Sequence, residues 1–117
     1  MKTKKNNKKT IVICLEFLNN LKLFHWNTKS YAEHIASDSL YDELTKLIDT
    51  LVESFLQIRQ PIKASINLTT MNHSQFLRKM KEFKKNMIEL NVSSELLSLR
   101  DDILVALDQF EYRLTLN

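Results

Sequence analysis

The sequence predicts an all-α protein built as a four-helix bundle. Three observations support this class: the 117 residues include no glycine and one proline, 44% are hydrophobic, and four separate stretches repeat apolar residues every three or four positions. Sheets and tight turns need glycine at positive φ, whereas helices joined by short loops do not. A chain of this length forms one domain, so we expect one bundle over residues 10–117.

Residues 1–9 are predicted to form a separate, flexible basic tail, because they contain lysines and no apolar periodicity. The whole chain has a net charge of +3, and the tail contains five lysines, so the remainder of the chain is mildly acidic. Two roles fit the tail: solubility, and contact with DNA phosphates that does not depend on base sequence. The lysines concerned are Lys2, Lys4, Lys5, Lys8 and Lys9.

The first two helices follow the tail. Apolar residues three and four apart predict a first helix over residues 11–27, with Thr10 as its N-cap and His25 on its inward face. A long second helix is predicted over residues 31–60. Pro61 ends it, because proline restricts the residue before it and lacks a backbone N–H.

The second half of the chain predicts two further helices. One runs over residues 73–90, and the other begins at Ser93 or Ser94 and ends near Leu114. The sequence does not distinguish a short strand, a helical turn and a loop over residues 62–72, because the alternating apolar residues there fit all three.

Histidine and carboxylate side chains form a stripe on the second helix, away from its apolar stripe. On a wheel of ~100° per residue they lie between ~80° and ~180°, whereas the apolar stripe centres near ~345°. Tyr41 and Val52 lie beside them, so the face is too apolar for an ordinary solvated surface and predicts a subunit interface. The stripe comprises His34, Asp38, Asp42, Asp49 and Glu53, of which Asp42 is interpreted as a solvated charge.

The spacing of the stripe predicts a site shared by two chains. Asp38 and Asp49 lie ~16 Å apart along a helix, too far for one metal ion. When two copies of the helix pack antiparallel about a two-fold axis, residue i of one copy faces residue j of the other where i + j is constant. The pairs His34 with Glu53 and Asp38 with Asp49 have the same sum, so both pairs can form at one crossing. With His25 added, the predicted catalytic and metal-binding set is His25, His34, Asp38, Asp49 and Glu53. Imidazole and carboxylate ligands suit Fe(II), with Zn(II) and Mn(II) as weaker fits.

At these residues the chain resembles the Dps proteins, the ferritin-like DNA-binding proteins from starved cells. The resemblance rests on His25-Trp26, His34 with Asp38, the Leu40-Tyr41-Asp42-Glu43-Leu44 run and Asp49-x-x-x-Glu53, and it covers roughly residues 10–58. It implies a ferroxidase that oxidises Fe(II) with oxygen or peroxide at sites between two-fold-related subunits, and ferric storage in a hollow shell. The chain also resembles small Dps-like proteins of large DNA viruses and phages.

The alternative function is a non-enzymatic helical structural protein of a virion or nucleoid, in which the charged stripe forms contacts between subunits. A helix-turn-helix DNA-binding protein fits less well, because neither short connection precedes a helix with exposed basic and amide residues at its start. A single cysteine and the absence of a signal-like apolar run predict an intracellular location, in cytoplasm, nucleoid or virion. No apolar segment approaches membrane-spanning length, so no membrane partner is expected.

Overall fold

A computed structural model describes residues 2–56 and 61–116, with side chains from residues 7–54 and 61–116. The all-α prediction is confirmed, since these residues form four α-helices and no strand. The predicted second helix is confirmed from Tyr31 to Leu56, with its α-helical part ending at Leu51 and a π-helical segment following. Residues 57–60 of the prediction lie outside the described residues. The elements are α1 (Lys2–Asn27), α2 (Tyr31–Leu51), the π segment (Val52–Leu56), α3 (His73–Ile88) and α4 (Ser94–Leu114).

Each helix packs mainly against two others. Helix α1 contacts α2 and α3, and α4 contacts the same two, so the neighbour order around the core is α1, α2, α4, α3. This is the order expected of a four-helix bundle. The inward face predicted for α3 is confirmed, because Phe76, Met80, Phe83 and Met87 are all buried.

Stacked phenylalanines join α1 to α3. The ring centroids of Phe17 and Phe83 lie 4.3 Å apart, and those of Phe24 and Phe76 lie 4.4 Å apart. Leu15, one of the apolar residues whose spacing predicts α1, is 39% exposed. The larger Phe17 and Phe24 rings bury more apolar area, and they rotate α1 so that Leu15 lies at the edge of the core.

The backbone of the lysine-rich segment is helical. Helix α1 begins at Lys2, so the flexible tail is not confirmed, and the predicted cap at Thr10 is wrong because the helix continues through it. Residues 2–10 contain neither glycine nor proline, and extending an existing helix needs no new nucleus. The side chains of Lys2, Lys4 and Lys5 lie outside the described set, and their contact with DNA stays a prediction.

The connection over residues 61–72 has no regular secondary structure and is held against α1 by Asn20. The Asn20 side-chain amide donates to the Asn67 carbonyl at 2.8 Å and accepts from the Thr69 amide at 2.9 Å. The Glu16 carboxylate accepts from the Asn67 amide at 3.2 Å. The Asn20 side chain, which is only 2% exposed, therefore forms the hydrogen bonds that these backbone groups would otherwise form with a neighbouring strand.

Candidate metal centre

His25 and His34 lie side by side where α1 ends and α2 begins. Their ring centroids are 4.0 Å apart and their planes differ by 19°. His25 is buried and His34 is exposed, so the pair spans the boundary between core and surface. Ser30 sets this geometry, because its hydroxyl accepts the Glu33 amide at 3.2 Å and caps the start of α2.

Reciprocal hydrogen bonds orient both rings. Nδ1 of His25 lies 2.9 Å from the backbone oxygen of His34, and Nδ1 of His34 lies 3.1 Å from the backbone oxygen of His25. A carbonyl oxygen can only accept, so both Nδ1 atoms carry hydrogen and, in the neutral rings, both Nε2 atoms carry a lone pair. Metal-ligating histidines are commonly held by such a bond from the other ring nitrogen.

Ser37 completes the support around the buried ring. Its hydroxyl oxygen lies 2.9 Å from Nδ1 of His25 and donates to the backbone oxygen of His34 at 3.1 Å. Ser37 is fully buried, so the hydroxyl has no access to solvent. The His25 ring is consequently fixed by two acceptors, and its Nε2 atom is directed toward Asp38.

Asp38 is the carboxylate nearest the pair. Its Oδ1 lies 3.8 Å from Nε2 of His25, and its side chain is 56% exposed. This gap is longer than a hydrogen bond but shorter than ~4.2 Å, twice a typical metal–nitrogen or metal–oxygen bond of ~2.1 Å. A cation with Nε2 and Oδ1 as ligands therefore fits between these atoms.

Asp49 and Glu53 form the second half of the predicted set. A hydrogen bond shared with the Asp49 carboxyl raises the pKa of Glu53, and repulsion from the Asp49 charge raises it further. The π segment contributes to this approach, because a wider turn rotates each residue by less than the ~100° of an α-helix and brings Glu53 closer in azimuth to Asp49. Both side chains are exposed, so a cation can reach the pair.

The two halves do not meet within one chain. His25 lies at the end of α1, and His34 and Asp38 lie in the first half of α2. Asp49 lies near the end of α2, and Glu53 lies in the π segment. Across residues 2–56 and 61–116, no three histidine, cysteine, aspartate or glutamate side chains converge to hold a metal ion. The five-residue site therefore stays a prediction that requires a second chain.

Exposed apolar and aromatic side chains border the histidine pair. Trp26 is 68% exposed, Tyr31 79% and Ile35 48%. The Lys22 ammonium lies 4.5 Å from the centroid of the Tyr41 ring and 5.8 Å from that of Trp26, so it bridges α1 and α2 beside the site. An apolar rim of this kind is typical of surfaces that bind another protein subunit.

Some supporting residues were missed from the sequence. Glu33 accepts a hydrogen bond from the Thr28 hydroxyl at 2.5 Å and pairs with the ring of His73 at the start of α3. The Ser30-x-x-Glu33 spacing signals a helix start, but no sequence signal indicates the contacts of Ser37 or His73.

A protein family matches most of this chain. The family, described as a family of unknown function (DUF5856), matches residues 25–114, about three quarters of the sequence. The chain belongs to this family. The DUF5856 match begins at His25 and includes all five candidate ligands, whereas most of α1 precedes it. No curated protein and no solved structure matches the chain. In the described ranges, no helix is long and apolar enough to cross a bilayer.

Proposed function

We propose that this protein is a ferritin-like, Dps-like ferroxidase whose substrate is Fe(II). Each site takes His25, His34 and Asp38 from one chain and Asp49 and Glu53 from its two-fold-related partner. The observation that carries the proposal is the reciprocal bonding of the two histidines, which holds both Nε2 atoms as ligands. Zn(II) and Mn(II) fit the same donors less well than Fe(II) does.

Each group has a distinct part in the proposed reaction. The two imidazoles bind and orient Fe(II), and Asp38 supplies charge on the same side. The Asp49 and Glu53 carboxyls supply the partner's ligands, and a cation bound between them would offset the repulsion from the Asp49 charge that raises the pKa of Glu53. Dioxygen or peroxide accepts the electron lost by each Fe(II). A small number of protein ligands leaves coordination positions for that oxidant.

Storage of ferric product in a hollow shell and DNA contact through the α1 lysines complete the proposal. The shell rests on the Dps resemblance, and the DNA contact rests on that resemblance and on the lysines at the start of α1. Particle diameter measured by light scattering and by electron microscopy separates a dimer from a shell.

Fe(II) binding under argon, followed by oxidation on admitting air, tests the proposal. Wild type is expected to bind and oxidise Fe(II), and D49A/E53A is expected to do neither. Glu43→Ala is the matched control, because Glu43 is an exposed carboxylate of α2 outside the stripe. Wild-type oxidation no faster than free Fe(II), or equal loss in the control, contradicts the ferroxidase function.

The alternative is a structural protein that keeps this fold without the activity. One observation favours it: His25 is buried and its Nδ1 already has two acceptors, so packing alone accounts for its position. In that case the stripe and its apolar rim serve subunit contact only. The wild-type protein is then expected to assemble without metal, and Fe(II) in its presence is expected to oxidise at the rate measured in buffer alone.

A further inference from the structure

Charge is divided between two pairs of helices in this fold. Helix α1 carries six lysines and one glutamate, and α3 carries five basic residues and one glutamate. Helix α2 with the π segment carries six carboxylates and one lysine, and α4 carries five carboxylates and two arginines. Helices α1 and α3 therefore form a basic side, and α2 and α4 form an acidic side. The outer surface over α3 and α4 is half basic and half acidic.

Helices α3 and α4 lie side by side and antiparallel. The Lys84 ammonium of α3 lies 2.6 Å from Oδ1 of Asp108 and 2.9 Å from Oε1 of Glu111, both on α4. Nearer the loop between the helices, the Arg100 guanidinium of α4 lies 3.5 Å from the Ile88 carbonyl of α3. These contacts fix the register, because the level of Lys84 on α3 is that of Asp108 on α4.

The outward surface over these two helices exposes charged and apolar side chains together. Ile88, Val105 and Tyr112 are each more than half exposed. Lys81 and Lys85 are exposed, and neither makes an ion pair with a described side chain. Exposed apolar side chains concentrated on one face indicate an interaction surface. We call this surface the α3–α4 face and define it as Lys81, Lys85 and Ile88 of α3 with Val105, Asp108 and Tyr112 of α4.

Two kinds of two-fold axis pack this face against the same face of a second copy. An axis perpendicular to the helices places α3 on the partner's α3 and α4 on the partner's α4, so like charges meet and repel. An axis parallel to the helices places α3 on the partner's α4 and α4 on the partner's α3. Basic then meets acidic twice, so charge complementarity selects the parallel axis.

The parallel axis also fixes the register between the two copies. Rotation about it leaves the level of each residue along the helices unchanged, so α3 faces the partner's α4 as it does its own α4. Since Lys84 lies level with Asp108 within the chain, the neighbouring Lys85 faces the partner's Asp108. The Asp108 side chain remains 63% exposed beside Lys84, and a carboxylate can accept from a second ammonium.

The turns on either side of this ion pair match as well. Lys81 lies four residues before Lys85 and faces the partner's Tyr112, so its ammonium meets an exposed aromatic ring. Ile88 lies three residues after Lys85 and faces the partner's Val105, so two exposed apolar side chains meet. The two-fold axis repeats each of these contacts, so one arrangement forms all of them twice.

We propose that the α3–α4 face binds the same face of a second copy about this parallel two-fold axis. A polyanion fits the lysines of α3 but is repelled by the carboxylates of α4, whereas a second copy matches both halves. The face lies opposite α1 and α2 in the bundle, so a chain can make this contact and the metal-dependent contact of α2 at once. The contact does not depend on iron.

The size of the face predicts weak association. Helix α3 has 16 residues and is ~24 Å long, and two helices side by side are ~20 Å wide, which gives ~500 Å² of flat surface. Standard interfaces bury ~800 Å² on each partner, so we expect association at ~100 μM and monomer at ~1 μM.

Sedimentation equilibrium of the full chain with chelator, at low salt and from ~1 to ~100 μM, tests the contact without metal. K81E/K85E and D108K/Y112K are each expected to weaken self-association ~10-fold or more, because each places like charges across the interface. Mixing the two variants in equal amounts should restore association, since α3 of each variant then faces the opposite charge on α4 of the other. K81Q/K85Q, which removes charge without reversing it, should show a smaller loss.

The matched control is K29E/K63E, which makes the same charge change at exposed positions outside the face. It is expected to keep the wild-type association. A wild type that stays monomeric, an equal loss in the control, or unchanged association of K81E/K85E overturns the proposal. So does a mixture that does not associate although both variants keep wild-type helicity and melting temperature. Because chelator is present throughout, none of these outcomes bears on Fe(II) oxidation.

Discussion

His25 and His34 each donate a ring Nδ1 hydrogen bond to the backbone oxygen of the other, at 2.9 and 3.1 Å. The pair joins the end of α1 to the first turn of α2 through two side chains and two backbone groups. Because the acceptors are backbone atoms, substituting either histidine removes one bond without changing the other. The donor arrangement is therefore a property of the fold and does not depend on bound metal.

Mixing two inactive variants is expected to restore activity if each site is shared. H34A/D38A and D49A/E53A should each be inactive alone. After unfolding and refolding together at equal amounts, random pairing makes half of the dimers mixed, and each mixed dimer has one complete site of two. About a quarter of wild-type Fe(II) oxidation should return. No recovery, with mixed dimers demonstrated by mass spectrometry, contradicts the shared site.

Association of two chains is expected to depend on divalent cations. In the antiparallel pairing, Asp38 of one chain faces Asp49 of the other, and like charges repel without a cation between them. Sedimentation velocity should show a shift toward monomer with chelator and toward dimer with Mn(II), which avoids oxidation. D49N/E53Q removes this repulsion and should dimerise equally in both conditions. A wild-type dimer unaffected by chelator contradicts this prediction while leaving the ferroxidase open.

Cys14 is expected to be unreactive in the folded protein. Burial raises the pKa of its thiol to about 12, from an ordinary value near 9.0. A raised acid pKa means that the folded state favours the protonated thiol, so this contribution to stability is present below the ordinary pKa of 9.0 and is lost as pH rises toward about 12. A disulfide-exchange reagent at pH 8 should label Cys14 only after denaturant is added. Rapid labelling of native protein contradicts its burial.

Removing the Asn20 side chain should release the connection between the π segment and α3. Asn20→Ala leaves the Asn67 oxygen and the Thr69 amide without partners, which we expect to cost about 1–3 kcal/mol. Trypsin should then cut faster after Lys63, and hydrogen exchange over residues 61–72 should increase. Asn19→Ala is the control, since Asn19 is exposed and its side-chain amide donates to the Leu15 carbonyl of the same helix. Equal protection in both variants contradicts the role of Asn20.

Apolar spacing and capping residues predict those features of the fold that depend on neighbouring residues along the chain. The buried face of α3 follows from apolar spacing, and its start at His73 follows from Asn72 and Gln75, which form a capping box. The π segment was not predictable, because it changes backbone hydrogen bonding without a residue that marks it. The contacts of Asn20 join residues more than 45 positions apart, and nothing along the chain indicates them.

The candidate site also has some features that the sequence predicts and others that it does not. The position of His25 on the inward face of α1 was predicted from spacing and is confirmed by its burial. The stacking of His25 on His34 was not predicted, because it depends on the angle at which the chain turns between α1 and α2. The pairing of Asp49 with Glu53 follows from their spacing of four residues, and the shared hydrogen bond is an outcome of local backbone geometry.

Helices α1 and α3 carry eleven lysine and arginine residues, whereas α2 with the π segment and α4 carry eleven carboxylates. This division of charge makes the molecule an electric dipole, which is expected to turn as it approaches a highly charged surface. A long-range field of this kind turns the basic side toward a polyanion before contact and increases productive encounters, with an effect that fades as salt shortens the Debye length. Small cations are drawn to the opposite side at the same time. The molecule therefore orients toward a polyanion through one side and attracts cations to the other, with no conformational change.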